Sequence, residues 1–95
     1  TLADGCAGGV DEGSITLPLG REVIDELIDC TEDEIAEGIC HMAWSEKMLV
    51  EGSAGLAQAA WQADAPKRTN KVSAVVLCGA NFDRDRIAPI IGSMP

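Results

Sequence analysis

A chain of 95 residues, 46% hydrophobic, has room for one domain and one small core, and a fold of this size buries only roughly 60–65% of its unfolded surface. Seven basic against sixteen acidic side chains leave a net charge of −9, which sets aside nucleic acid and anionic membrane as partners because both repel such a surface. No apolar run approaches the roughly 20 residues that span a bilayer, nothing at the start resembles a secretory signal, and the four cysteines (Cys6, Cys30, Cys40, Cys78) lack a C-x-x-C pair, so a cytoplasmic chain with reduced thiols is expected.

The chain opens at Thr1 rather than Met, as a processed product or a segment of something longer would. Residues 1–13 hold four of the ten glycines with Asp4, Asp11 and Glu12, and read as a glycine-rich loop without G-x-G-x-x-G or Walker spacing. Pro18 suits a first helical position, and Leu19, Val23, Ile24 and Leu27 recur at helical spacing, which predicts a helix over Pro18–Asp25. Leu27–Cys30 can extend that helix or form a short strand; the clear start of the next helix favours a strand. Thr31-Glu32-Asp33-Glu34 is a capping box, in which the threonine hydroxyl accepts from the third backbone N–H while Glu34 reaches back. Ile35, Ile39, Met42 and Ala43 then share a face, carrying the helix to about Met48. After an interruption at Glu51-Gly52-Ser53, Ala54–Ala63 makes a further helix whose small residues permit close packing, and Asp64–Asn70 is a solvated loop.

Val72–Leu77 is apolar except for Ser73 and rich in β-branched residues, the pattern of a strand covered on both faces in a parallel α/β sheet. Ligands of such sheets bind outside the carboxyl ends of the strands, which puts Cys78 and Gly79 where a small molecule would be met; Gly79 permits close approach and Asn81 a left-handed turn. The same residues also describe a plain strand-to-helix turn with a small buried cysteine. Asp83 can cap a last helix that Pro89 must shorten or kink. Two strands and four helices make an incomplete sheet, to which something further must be added.

Among chemistry-bearing residues, Cys40 and His41 adjoin, but neighbours on a helix point about 100° apart and cannot act as nucleophile and base. Metal-ligand spacing is absent. Glu51, at the join of two apolar helical segments, is either a partly buried carboxylate with a function or partner, or a helix-end carboxylate in water. Glu32, Asp33, Glu34 and Glu37, like Asp83–Arg86, read as caps and solvated faces, and Trp44 and Trp61 as packing anchors.

Taken in order, Thr1-Leu2-Ala3-Asp4-Gly5, Arg21-Glu22-Val23-Ile24-Asp25, Thr31-Glu32-Asp33-Glu34-Ile35, Leu49-Val50-Glu51-Gly52-Ser53-Ala54-Gly55 and Val75-Val76-Leu77-Cys78-Gly79-Ala80-Asn81 resemble the carboxyl-terminal part of the catalytic domain of pyridoxal-phosphate-dependent threonine and serine dehydratases, a group that includes serine racemase. The resemblance runs nearly end to end. It implies that residues 1–95 are a single segment of a mainly parallel, fold type II sheet with flanking helices, a partial three-layer α/β sandwich. It also implies pyridoxal 5′-phosphate as cofactor of the complete enzyme and a hydroxy amino acid, threonine or serine, as substrate, converted to a 2-oxo acid and ammonia. Gly5 takes the place of the loop glycine beside the pyridine ring, Glu51 that of the carboxylate near the cofactor, and Cys78 that of the Ser or Cys facing the pyridine nitrogen, with Gly79 and Asn81 completing the loop. Ala80 stands where the family usually has glycine or arginine. The family's Schiff-base lysine, phosphate cup and metal ligands belong to sequence upstream of Thr1, and Lys47, Lys67 and Lys71 are outside its lysine motif, so no catalytic residue is assigned and the chain alone is not expected to hold the cofactor or catalyse elimination. The competing expectation is a stand-alone, non-catalytic module that buries its open edge by self-association; either way a homo-oligomer is expected.

Overall fold

The computed structural model describes residues 1–93. Four helices form: α1 (Thr16–Val23), α2 (Glu32–Trp44), α3 (Gly52–Asp64) and α4 (Arg84–Ser93), with single 3-10 turns at Asp4–Cys6 and Ala65–Arg68. The expected α/β sandwich is not seen: no strand occurs among the described residues. A strand exists only where a neighbouring backbone answers its N–H and C=O groups, and the two expected strands lie in different places. Cys30, at the end of the first, packs with Ala3, Ile35, Ile39 and Ile87, whereas Leu77, at the end of the second, packs with Met42, Val50 and Ala54. The two segments cannot pair, and each is left as unassigned coil.

The body is the α2–α3 pair. Its entry is fixed by the capping box: Glu34 N–H donates to the Thr31 hydroxyl at 3.3 Å, and Thr31 N–H to Glu34 Oε2 at 2.6 Å. Both bonds favour the ionised form of Glu34 and hold its carboxyl below the usual range. The helices meet backbone to backbone through glycines. A Cβ on Gly38 would stand 2.3 Å from the Gly55 carbonyl oxygen, and one on Gly55 2.5 Å from Ile39 Cγ1. α2 ends earlier than its apolar periodicity suggests, because Lys47 takes a left-handed φ of 59° and turns the chain toward α3. α4 lies across α2, with Cys40 Sγ donating to Ile90 O and Trp44 Nε1 to Ile91 O. It runs through Pro89 to Ser93 without the expected shortening. The proline withholds one N–H from the Asp85 carbonyl, but Asp85 is exposed, so that carbonyl is open to solvent.

α1 differs from the rest. It begins two residues before the expected start and ends two before the expected finish, buries no side chain, and among the described residues no other helix packs against it. The radius of gyration, 14.5 Å, exceeds the about 12 Å of a compact fold of this length, and the principal extents are 43 × 36 × 19 Å. No helix is long and apolar enough to cross a membrane among the described residues.

Candidate functional site

Glu51 is the organising residue. Its backbone is extended (φ −75°, ψ 170°) at the N-cap of α3, and Gly52 follows because nothing larger fits: a Cβ there would stand 1.7 Å from the Leu2 carbonyl oxygen. The extended backbone turns the Glu51 N–H toward Gly79, whose carbonyl accepts it at 3.1 Å, while the Glu51 carbonyl accepts from Gly55 N–H at 2.9 Å. The carboxylate bends back along the same segment, where Oε2 accepts from Asn81 N–H at 3.0 Å.

Two glycines leave room for this. A Cβ on Gly79 would lie 3.1 Å from Glu51 Cδ, and one on Gly5 would lie 2.9 Å from Ser53 Oγ and 3.7 Å from Glu51 Oε1. Gly5, Glu51, Gly79 and Asn81, four residues singled out by sequence, therefore converge across 76 positions of chain. Glu51 is a helix-end carboxylate, half-buried, with its Oε2 bonded to the Asn81 N–H.

Cys78 is placed differently. Exposure alternates from Val75 to Ala80, with Val75, Leu77 and Gly79 half-buried and Val76, Cys78 and Ala80 exposed, the two-residue period of extended chain. Cys78 thus adjoins the cluster but turns its side chain outward, and it is not the buried cysteine of a plain turn.

Beside the cluster lies a cavity of about 190 Å³, with Asp4, Glu51, Asn81, Asp83 and Arg86 on its wall and Ile39 and Ile87 among its apolar lining. Arg86 bridges its rim, donating to Asp4 Oδ2 at 2.8 Å and to the Thr1 carbonyl. The sequence alone puts Arg86 on a solvated face. The alternation of charge over Asp83–Arg86 signals a helix start, and nothing local shows that Arg86 reaches back to Asp4. The N-terminal segment is further held by Glu32, which accepts from the Thr1 hydroxyl and from Leu2 N–H; these two bonds keep its carboxyl below the usual range.

Other candidates part company. Cys40 is buried against α4, which raises its thiol pKa, whereas His41 Nε2 lies 3.6 Å from Glu46 Oε1. No cluster of three metal-ligating side chains occurs among the described residues.

Comparison with known proteins agrees with the sequence motifs. The chain is 31% identical over 94 residues to a catabolic L-threonine dehydratase of Escherichia coli, covering 97% of this chain and 28% of that protein. It is 34% identical over 91 residues to an L-threonine ammonia-lyase of Thermotoga maritima (96% of this chain, 22% of the relative) and 35% identical over 89 residues to serine racemase of Mus musculus (87% and 25%). The chain therefore spans about a quarter of the length of these curated relatives, and it is homologous to a segment of threonine dehydratases, threonine ammonia-lyases and serine racemase. No family model matches it, and no solved structure matches it significantly.

Proposed function

We propose that residues 1–95 form one wall of the pyridoxal phosphate pocket of a hydroxy amino acid ammonia-lyase acting on threonine or serine, working in the cytoplasm and belonging to the carboxyl-terminal part of its catalytic domain. The observation that carries this reading is the convergence of Gly5 and Gly79 on the Glu51 carboxylate, with Cys78 on the adjoining outer face. The two missing side chains let both backbones stand close to this carboxylate and to Ser53, where a Cβ would be obstructed.

When bound, the cofactor's pyridine ring withdraws electrons from the substrate's α-carbon. This chain's residues set the conditions around the ring. Cys78 would face the ring nitrogen with a thiol in place of a carboxylate, so it would not impose a proton there, and this would temper the ring in favour of losing water over other routes. Asn81 N–H fixes Glu51 Oε2 and so orients the carboxylate between Gly5 and Gly79. Hydrolytic release of ammonia and the reactive lysine are work for residues outside this chain.

The test is a chimera in which residues 1–95 replace the matching segment of the E. coli threonine dehydratase. Threonine- or serine-dependent formation of a 2-oxo acid, abolished by Gly79→Val, is the expected result. A chimera that folds and retains the cofactor but forms no 2-oxo acid from either substrate overturns the reading.

A second reading is favoured by the exposure of Val72, Val76, Leu27 and Ile15: a non-catalytic module that self-associates through these side chains. Sedimentation of the 95-residue chain at micromolar concentration distinguishes it, since a monomer excludes self-association.

A further inference from the structure

The segment from Ala7 to Asp29 leaves the helical body and returns to it. It carries α1, which no other helix touches, and the ion pair recorded between it and the body is the exposed Glu26–Arg68 bridge at 2.7 Å. Its two ends are marked by thiols. Cys6 closes the 3-10 turn at the exit, and Cys30 stands at the return, one residue before the capping box. Both line the same cavity, of about 230 Å³, whose wall includes Ala3, Ile35 and Leu56. Both also neighbour the same core residues: Cys6 Sγ donates to Ala3 O at 3.4 Å, and Cys30 packs on the cluster of Ala3 and Ile35.

Cys6 belongs to one turn closed by Cys6 N–H to Ala3 O and Ala7 N–H to Asp4 O, and residues 25–30 donate no backbone hydrogen bond among the described residues. Cys40, by contrast, is buried against α4, and Cys78 is exposed and does not line this cavity.

We infer that Cys6 and Cys30 are a reversible dithiol pair that closes the neck of the α1 excursion as an intramolecular disulfide, with a glutathione-type disulfide as oxidant. In the first step the exposed Cys6 thiolate attacks one sulfur of oxidised glutathione; a mixed disulfide forms and one glutathione leaves, taking up the proton that Cys6 gave up. In the second, the Cys30 thiolate attacks the Cys6 sulfur and expels the second glutathione. Two protein thiols are oxidised and one glutathione disulfide is reduced to two thiols. Burial raises the Cys30 thiol pKa, with Glu34 and Asp29 adding to the shift, so the second step quickens as pH rises.

The closed bond ties a loop of 23 intervening residues at its base, where chain entropy in the unfolded state is reduced most usefully. It also draws the turn that carries Gly5 toward α2, and Cys6 Sγ can then no longer donate to Ser53 Oγ, a contact of 3.4 Å in the reduced form.

The experiment is oxidation of the 95-residue chain with oxidised glutathione, followed by intact mass and non-reducing digestion with trypsin and a glutamate-specific protease. The expected product has lost two hydrogens and yields one peptide pair joined through Cys6 and Cys30, reopened by dithiothreitol. Cys30→Ser should stop at a stable glutathione adduct on Cys6, and Cys78→Ser should leave the product unchanged. Separate glutathione adducts on Cys6 and Cys30 in the parent chain, or a joined pair involving Cys40 or Cys78 instead, overturn the inference. None of these readouts depends on cofactor binding, so the result stands apart from the fate of the lyase reading.

Discussion

α1 and α2 are both amphipathic in sequence, and they meet opposite fates. α2 enters through a reciprocal cap, buries Ile35, Gly38, Ile39, Cys40 and Met42, and touches both α3 and α4. α1 starts at Ile15 with no side-chain cap, buries nothing, and leaves Leu17, Leu19 and Val23 about half exposed or more. An apolar stripe announces that a helix needs a neighbour and says nothing about whether the neighbour is present. The stability of an amphipathic helix comes from the packing of that stripe, and α1 lacks it.

The same kind of substitution made in both helices is the strongest way to break this comparison. Gly38→Val drives side-chain atoms into the Gly55 carbonyl and should cost about 3 kcal/mol, whereas Gly20→Ala in α1 meets only Ile24 Cδ1 at 3.4 Å and should gain about 0.5–1 kcal/mol of helix propensity. Urea denaturation measures both, and a similar loss at the two sites contradicts the contrast. Next in size is truncation: Ile39→Ala should cost about 2–5 kcal/mol and Val23→Ala no more than about 0.5 kcal/mol.

Capping sharpens the comparison at lower energy. Thr31→Ala should cost about 1 kcal/mol, while Ile15→Asp should raise the helicity of α1, read by circular dichroism, because it supplies the oxygen acceptor that end lacks. The smallest effect is acid sensitivity. Glu34 has a folded pKa below its unfolded one, so its contribution is present above the unfolded value and is lost as pH falls through the folded value. Melting temperature should therefore decline on acidification below the ordinary carboxylate range, less so in Glu34→Gln, and should be flat with respect to this group near neutrality.

These differences show which parts of the molecule were legible in the sequence. The start of α2 was readable because its cap is closed by residues three apart. Glu51 was readable as an unusual carboxylate because it interrupts two apolar helices, and Gly5, Gly79 and Asn81 because their motifs resemble a known family. The sheet was misread for one physical reason: β-branched residues over Val72–Leu77 state a preference for extended chain, and the chain is extended in its burial pattern, but a sheet also needs a second backbone within reach. Leu27–Cys30 did not serve, since Cys30 at its end packs on the Ala3 cluster and Leu77 on the Met42 cluster. Arg86 and Asp4 were missed because their meeting joins positions 82 apart, and no local spacing encodes it.

The two bonds between Glu51 and the segment Gly79–Asn81 have a mechanical consequence. A single residue grips that segment at two points, by its N–H and by its carboxylate, and is itself the first anchor of α3. The segment is therefore suspended from α3 like a shelf from its bracket, and its height is set by how closely α3 stands to α2. Widening the helix spacing at Gly38 and Gly55 by the thickness of one methyl group would carry Glu51 and the Gly79–Asn81 segment away from α2 together, while leaving every bond between them intact.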